Sequence, residues 1–255
     1  MDITLIGAGN LATSLAPALR DAGHVVRQVY SRTMTSAELL AKRVGAEATD
    51  DLNEVRPTAD VYVFSVKDAV LEQLVAQVAP RLAGKVLLHT AGSMPMDLFR
   101  PYAGHYGVFY PMQTFSKNRP VSFSSIPCFI EANDEQTLAT ALSLAHSVSK
   151  TVCQLSSADR KYLHLSAVFA CNFVNHCYAM ADQLLSKHGI PFDVLLPLID
   201  ETARKVHSLS PHDAQTGPAV RYDRNVLSAQ ENLLDDERMK AIYRLMSEDI
   251  HESHQ

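Results

Sequence analysis

This 255-residue chain carries near its start the sequence Gly7-Ala8-Gly9-Asn10-Leu11-Ala12, which identifies the fold. An apolar strand pattern (2–6) precedes it, and a helix pattern (10–22) and a second strand pattern (25–30) follow, as in a dinucleotide-binding βαβ unit. The first glycine permits the tight turn, the second lets the backbone approach a pyrophosphate, and Ala12 allows close packing of helix on strand. The helix directs its N-terminal amides toward that pyrophosphate. We therefore predict that Gly7, Gly9, Asn10 and Leu11 contact a dinucleotide.

The end of the second predicted strand indicates which dinucleotide binds. NAD-selective proteins place Asp or Glu about 20 residues after the glycines, on the ribose 2′-hydroxyl. Ser31, Arg32 and Thr33 occupy that place here. A guanidinium can pair with a 2′-phosphate through two hydrogen bonds, and hydroxyl groups add further donors. The sequence therefore predicts NADP as the cofactor. The alternative is that Arg32 is a solvated arginine in an ordinary loop between strand and helix.

The composition is that of a soluble globular protein, and it excludes some partners. A net charge of −5 without a basic block argues against nucleic acid as a partner. The four cysteines lack the Cys-x-x-Cys spacing, so we expect reduced thiols in a cytoplasmic protein. Because the first strand begins at residue 2, we expect no signal peptide before it.

The hydrophobic pattern divides the chain into two parts. Up to residue 155, short apolar runs alternate with helical patterns, which is typical of a parallel sheet with crossover helices. The predicted strands are 2–6, 25–30, 46–49, 60–66, 85–89, 107–110, 128–132 and 151–155. The predicted helices of this part are 10–22, 36–44, 69–78 and 134–148.

From residue 156 onward the pattern contains only helices. They are 157–187, with Ser157 or Asp159 as its cap, and then 192–208, 218–228 and 235–250. We therefore predict an α/β fold, in which an N-terminal Rossmann-type domain with a parallel sheet (1–155) precedes an all-helical C-terminal domain (156–255).

The stretch 162–181 contains no Lys, Arg, Asp or Glu. Its length would suit a membrane span, but its histidines, asparagines and cysteines make that placement costly. On an uninterrupted helical wheel, one arc holds His164, Cys171, Asn172, Asn175, His176, Asp182 and Gln183. The opposite side holds Phe169, Ala170, Phe173, Val174, Met180 and Leu184. The polar arc either lines a substrate cleft facing the nicotinamide or forms a hydrogen-bonded contact between domains or subunits.

Three further segments follow strands at the carboxyl edge of the predicted sheet, where open α/β sheets bind ligands. In Ser65-Val66-Lys67-Asp68, we predict that Ser65, Val66 and Lys67 contact the cofactor phosphate or ribose, and that Asp68 caps the next helix. In His89-Thr90-Ala91-Gly92-Ser93, His89 and Thr90 are predicted to lie near the nicotinamide or a substrate carbonyl. Tyr110-Pro111-Met112-Gln113-Thr114 is predicted to form the pocket floor.

Another segment, Thr216 to Asp223, is predicted to be a turn that opens a helix. Arg221 in this turn either binds a substrate carboxylate or forms a surface pair with Asp223. We predict no metal site, because the spacing of His164 and His176 fits no common set of ligands.

These segments together resemble a known superfamily. The glycine turn, Ser31-Arg32-Thr33, Thr90-Ala91-Gly92 and Tyr110-Pro111-Met112 are similar to those of pyrroline-5-carboxylate reductases and deazaflavin-dependent NADP oxidoreductases. The chain more closely resembles an uncharacterised family with a Rossmann-like domain and a helical C-terminal domain of unknown function. The residues that carry this resemblance are His89-x-Ala91-Gly92, Pro111-x-Gln113-Thr114-Phe115, His164, Asn172-Phe173-Val174-Asn175-His176, Thr216-Gly217-Pro218, Arg221 and Asp223.

The resemblance implies NADP binding and a helical dimerisation domain related to 6-phosphogluconate dehydrogenase-like folds, and hence a homodimer. Related β-hydroxyacid dehydrogenases carry a catalytic lysine a few residues before the asparagine of the long helix. This chain has Phe169 where that lysine aligns. The resemblance therefore implies a fold and a cofactor but not a particular reaction.

Our hypothesis from the sequence is an NADP-dependent oxidoreductase that transfers a hydride between NADP(H) and a small polar substrate such as an imine or a keto acid. His164 or His89 would donate or accept the proton, because histidine suits proton transfer near neutral pH, and Asn172 would orient the substrate. The predicted substrate-binding residues are His176, Gln113 and Arg221. The alternatives are a non-catalytic NADP(H)-binding sensor or partner protein, and a reductase of flavin or deazaflavin that uses NADPH.

Overall fold

The computed structural model describes residues 1–119 and 121–255. The chain comprises two compact units, Met1–Cys171 and Asn172–Gln255. The predicted boundary after residue 155 marks the end of the sheet. The first unit also includes the next helix, because Arg160 and His164 of that helix bond to side chains of the strands.

The first unit is built on one eight-stranded sheet, and all eight predicted strands are present. They are β1 (Asp2–Ile6), β2 (Val25–Tyr30), β3 (Glu47–Thr49), β4 (Val61–Phe64), β5 (Val86–His89), β6 (His105–Pro111), β7 (Cys128–Ala132) and β8 (Val152–Gln154). The strand order is β3-β2-β1-β4-β5-β6-β7-β8. Because the connections leave to opposite sides of the sheet at β1 and β4, the carboxyl ends of these strands form the crevice where such sheets bind ligands.

The sheet is parallel, as predicted, except that β7 runs antiparallel to β6. Between these two strands, the described residues form a single 3₁₀ turn, Phe123–Ser125, and no α-helix. A parallel pair is usually joined by a helical crossover, and the described residues of this segment form no such helix. The sequence pattern of β7 alone could not reveal its direction.

The described residues of the first unit form five α-helices. They are α1 (Asn10–Asp21), α2 (Met34–Val44), α3 (Asp68–Val78), α4 (Glu135–Val148) and α5 (Ser157–Ala167). Successive strand residues point to opposite faces of the sheet and build two apolar cores. Val63 packs in the core that contains Leu15 of α1, whereas Phe64 packs in the core that contains Leu71 of α3. Both faces of the sheet are therefore covered, as in a doubly wound α/β fold.

Two predicted helix caps differ from the structure. Lys67, not Asp68, occupies the cap position of α3, and Asp68 lies in the first turn, where its carboxylate accepts a hydrogen bond from the Ser93 hydroxyl. Helix α5 is capped by Ser156, whose Oγ accepts a hydrogen bond from the backbone N–H of Asp159. Neighbouring residues that can all act as caps make the position ambiguous in sequence, and the local backbone dihedral angles decide it.

The long predicted helix 157–187 is interrupted. A π-helical segment, Val168–Phe173, separates α5 from α6 (Val174–Lys187). A π-helix bonds residue i to i+5 and so has more residues per turn than an α-helix. The wheel drawn for an uninterrupted helix therefore does not apply across Val168–Phe173, and the polar arc stays a prediction.

The second unit is helical and contains few buried residues. Besides α6 it has a 3₁₀ turn (Phe192–Leu195), α7 (Leu196–Lys205), α8 (Pro211–Ala214), α9 (Arg224–Glu231) and α10 (Glu237–Glu252). Of its residues, all of which are described, only Ala219 and Leu234 are buried. Large apolar side chains such as Leu198, Leu233 and Leu245 are exposed on the single chain.

The predicted helix 218–228 begins later than expected. Tyr222 has a φ of 50°, in the left-handed region that a helix interior does not tolerate. Helix α9 therefore starts at Arg224, and the Asp223 carboxylate caps it by accepting a hydrogen bond from the N–H of Val226. Within the described part of the chain, no helix combines the length and the apolar character that crossing a membrane requires.

Candidate cofactor and active site

The turn after β1 has two glycines with different roles. Gly7 has a φ of 119°, and its N–H donates to the carbonyl oxygen of Tyr30 at 2.8 Å. A Cβ at this position would overlap the carbonyl oxygen of Ser65, so only glycine fits. Gly9 is exposed, and a Cβ there would meet only the Ser65 oxygen, at 4.0 Å. The space above Gly9 is therefore open to a ligand.

The N-terminus of α1 is available to an anion. Its first helical hydrogen bond runs from the N–H of Thr13 to the carbonyl of Gly9, so the amides of Asn10, Leu11 and Ala12 precede the bonded ladder. Among the described residues, no side chain caps α1, and no acidic residue lies in its first turn. The Asn10 side chain donates to the carbonyl of Phe115 at 3.0 Å, which leaves its backbone amide for a ligand. This arrangement suits a pyrophosphate.

The loop after β2 presents a cation and hydroxyl groups. The N–H of Ser31 donates to the carbonyl of Thr49 at 3.1 Å, and the Thr33 hydroxyl donates to that of Ser36 at 3.0 Å. Arg32 is exposed, and within the described ranges no carboxylate forms an ion pair with it. A guanidinium that is not already paired fits a 2′-phosphate. The glycine turn, the α1 amides and this loop together fit NADP.

The other predicted cofactor residues are less open. The N–H of Ser65 donates to the carbonyl of Ile6 at 2.8 Å, and the Val66 side chain packs against the core. Thr90 is buried, and both its N–H and its hydroxyl donate to the carbonyl of Phe64. Only Lys67, at the start of α3, is exposed toward solvent. Ser65 and Thr90 therefore shape the edge of the sheet.

His164 meets Tyr110 and Gly92 at the carboxyl edge of the sheet. The Tyr110 hydroxyl lies 3.0 Å from Nδ1 of His164, and the two rings meet edge to face at 6.0 Å between centroids. A Cβ on Gly92 would lie 2.5 Å from Nδ1 of His164 and 2.9 Å from Cζ of Tyr110. Glycine is therefore required at position 92, because it lets the turn after β5 approach both rings.

Tyr110 is held as a neutral phenol. The side chain is buried, and burial raises its pKa above the ordinary value. The nearby Arg160 guanidinium opposes this rise, and the Asp68 carboxylate adds to it. Because the net shift is upward, the phenol stays protonated at neutral pH. Its hydroxyl can donate to a neutral imidazole and accept from a protonated one, so the bond to His164 can persist in both states.

The structure does not support a catalytic role for His89. Its side chain is completely buried and stacks on Phe99, with 5.7 Å between ring centroids. Its Nδ1 accepts a hydrogen bond from the N–H of Ala91 at 3.2 Å. Burial, and then the Arg160 guanidinium, lower the pKa of His89 to about 3, and the Pro95 carbonyl opposes this only in part. His89 therefore stays neutral and out of reach of a substrate.

The remaining predicted site residues are Gln113 in the first unit and three residues of the second unit. Gln113 is exposed, and its Oε1 accepts from the N–H of Thr114 at 2.8 Å. Asn172, His176 and Arg221 belong to the second unit and are exposed on the single chain. Their roles stay predictions. The alternative Arg221–Asp223 surface pair is not formed among the described residues, because Asp223 caps α9.

Sequence reasoning missed two features of this site. The sequence predicts Tyr110 only as part of a pocket floor, and it does not reveal the buried ion pair between Arg160 and Glu131, at 2.7 Å. A usable signal is Arg160, which lies one helical turn before His164 and just ahead of the uncharged stretch 162–181. Among the described residues, no group of three or more His, Cys, Asp and Glu side chains is placed to hold a metal ion.

Comparisons with known sequence families match both parts of the chain. The family described as "NADP oxidoreductase coenzyme F420-dependent" matches residues 2–92, and the domain of unknown function DUF2520 matches residues 126–250. A comparison with curated protein sequences gives no significant match.

Solved structures resemble the chain over its whole length. A Bacteroides fragilis protein assigned as an NADP oxidoreductase is 52% identical, with a TM-score of 0.93 and 98% of each chain covered. An imine reductase of Myxococcus stipitatus in complex with NADP⁺ is 18% identical, with a TM-score of 0.66, over 99% of this chain and 92% of its own. The 1-pyrroline-5-carboxylate reductase of Streptococcus pyogenes is 15% identical, with a TM-score of 0.66, over 100% and 98%. The last two likenesses show a shared fold.

The buried His89 predicts that stability falls as the pH is lowered. Its pKa is about 3 in the folded chain and 6.5 when unfolded, so between these values the unfolded state binds the proton more tightly. Its contribution is complete above pH 6.5 and is lost on acidification, at about 1.4 kcal/mol per pH unit. Urea unfolding at several pH values should show a shallower decline for His89→Gln. The exposed His146→Gln variant should keep the wild-type slope, and equal slopes for all three would contradict the prediction.

Proposed function

The chain belongs to the family of NADP oxidoreductases that join a coenzyme F420-dependent type of N-terminal domain to a DUF2520 domain, and from this premise we propose that it transfers a hydride between NADP(H) and a small polar substrate with a C=N or C=O bond. The observation that carries the proposal is the Tyr110–His164 pair, held against Gly92 at the carboxyl edge of the sheet. Imine reductases and pyrroline-5-carboxylate reductase share this fold, which is consistent with an imine as the substrate.

The chain would hold NADP through the elements already described. The open space above Gly9 and the amides of Asn10 and Leu11 would receive the pyrophosphate. Arg32, with the hydroxyls beside it, would pair with the 2′-phosphate. When bound, NADPH supplies the hydride in the reductive direction.

His164 and Tyr110 would supply the proton that accompanies the hydride. Reduction of a C=N or C=O bond adds a hydride to carbon and a proton to nitrogen or oxygen. Because Nδ1 of His164 is bonded to the Tyr110 hydroxyl, Nε2 is the ring atom left to exchange a proton with the substrate. Tyr110 is buried and His164 is only half-buried, so His164 is the partner that a substrate can reach. Gln113, Asn172, His176 and Arg221 are the proposed substrate contacts.

We also propose that two copies of the chain associate through the second unit. That unit buries only Ala219 and Leu234, although many of its leucines, valines and isoleucines are exposed. A large apolar surface on one unit marks an interaction site, and a second copy of the chain covers such a surface most simply through a twofold contact. The family resemblance from the sequence implies the same partner.

Arg32→Ala should remove the preference for NADP. The variant loses a charge-assisted pair with the 2′-phosphate, so the Kd for NADPH should rise about ten- to a hundredfold, while that for NADH stays the same. Fluorescence titration of both nucleotides measures this. Lys42→Ala removes the same charge from the last turn of α2 and should bind like the wild type. Equal wild-type affinities for NADPH and NADH would refute the assignment.

His164→Ala should reduce turnover about 10² to 10⁴-fold, because the variant lacks the proton donor. It should still bind NADPH, because the glycine turn is unchanged. Tyr110→Phe should give a smaller loss, since it removes only the bond that orients the imidazole. Oxidation of NADPH is followed by absorbance with a panel of imines, keto acids, flavin and deazaflavin, with His146→Ala as the control.

Three results would change the functional proposal. Unchanged turnover in His164→Ala would remove this residue from the reaction. Turnover by the wild type with deazaflavin or flavin alone would make the protein a reductase of that cofactor. Tight NADPH binding without turnover of any compound would favour a sensor.

The dimer can be tested with two matched leucines. Leu245 in α10 and Leu39 in α2 are each 66% exposed. An arginine in place of Leu245 would have to be desolvated in the contact, so Leu245→Arg should shift the protein toward monomer. Leu39→Arg should leave the mass unchanged. Sedimentation analysis measures both, and a monomeric wild type at micromolar concentration would contradict the proposal.

A further inference from the structure

Arg160 is buried, with 1% exposure. Among the Lys, Arg, Asp and Glu residues that the structure describes, it is the most buried. A cation in the interior is costly unless it is paired and hydrogen-bonded. Glu131 of β7 supplies the pair, with its Oε2 at 2.7 Å from Nη1. Such a pair contributes little net stability compared with apolar residues of the same size. Its presence one turn before His164 therefore calls for an explanation other than stability.

The guanidinium joins three separate pieces of the chain. Besides Glu131, it donates to the carbonyl of Met94 at 2.6 Å and to the Ser157 hydroxyl at 3.1 Å, both through Nη2. The same Ser157 hydroxyl donates to Glu131 at 2.6 Å and accepts from the N–H of Met96 at 2.9 Å. This network links β7, the first turn of α5 and the segment that follows the Gly92 turn.

The contact between the Gly92 turn and His164 depends on this network, because both of these elements are bonded to it. His164 follows Arg160 by four residues on α5, so the two side chains share one face of the helix. Gly92 precedes Met94 by two residues. Since a Cβ on Gly92 would lie only 2.5 Å from Nδ1 of His164, a small shift of either element would change the contact and the bond to Tyr110.

We propose that Arg160 is a positioning residue, which, together with Glu131, sets the spacing between the Gly92 turn and His164 and so holds the imidazole on the Tyr110 hydroxyl. The inference rests on the proposed function only in that His164 takes part in the reaction. Arg160 itself is enclosed, so it acts through His164 and not on a substrate. A displacement of about 1 Å at a reacting group can cost about 10²-fold in rate.

Two variants separate this role from a contribution to folding alone. Arg160→Lys keeps the charge beside Glu131 but cannot reach both Glu131 and Met94 with a planar fork. The double variant Arg160→Met with Glu131→Gln removes both charges, so that no unpaired charge is left in the interior. Glu47→Gln with Arg56→Met, an exposed ion pair of the same unit at 2.8 Å, is the matched control.

The direct measurement is the ring ¹⁵N spectrum of His164 over a pH series, which reports the hydrogen bond at Nδ1 without any need for turnover. We expect both Arg160 variants to fold, to bind NADPH with the wild-type Kd, and to show altered His164 ring signals. With an imine substrate, kcat should fall about 10²-fold with little change in KM. The control variant should match the wild type in every readout.

The outcomes distinguish the two proposals. Wild-type His164 signals in a folded Arg160→Met, Glu131→Gln variant would overturn the positioning role, whatever the activity. Altered signals in both variants, with no turnover even in the wild type, would support the positioning role and contradict the proposed reaction. A lower melting temperature with unchanged signals and kcat would make the ion pair merely structural, which also overturns the inference.

Discussion

The close approach of the Gly7 backbone to the carbonyl of Ser65 is the constraint on which the cofactor end of the molecule depends. It joins the carboxyl ends of β1 and β4, the two strands at which the connections change side. A side chain at position 7 would force these ends apart. Because the contact is made backbone to backbone, α1 starts directly above the crevice, with its first amides free for a pyrophosphate.

A second glycine imposes the same kind of limit at the other end of the candidate site. Gly92 lets the turn after β5 come within contact distance of His164 and Tyr110. At Gly7 the neighbour is the adjoining strand, whereas at Gly92 the neighbours are side chains from β6 and α5. The absence of a Cβ at Gly7 therefore permits the cofactor turn, and its absence at Gly92 permits the close contact with His164 and Tyr110.

Much of this fold could be predicted from the sequence. Alternating apolar runs and helical patterns located all eight strands, because burial on both faces of a sheet demands nearly continuous apolar residues. The direction of β7 could not be predicted, because the hydrophobic pattern of a strand is the same in either direction. The π-helical segment before α6 could not be predicted either, because a helical wheel presumes a regular α-helix. The position of His89 is ambiguous in sequence for a similar reason: a histidine at the end of a strand can face the crevice or the core, and packing on Phe99 places it in the core.

The local chemistry of the cofactor end can be read from the chain alone: the glycine turn, the following helix, and the Ser31-Arg32-Thr33 loop with no carboxylate. Those features lie within a few residues of each other, so their spacing along the chain already specifies their geometry. The folded molecule was needed to see that Tyr110, His164 and Gly92 meet, and that Arg160 joins Glu131 to the Met94 carbonyl. These residues come from separate strands, turns and helices, and their distances depend on how the sheet and α5 pack, which no local pattern encodes.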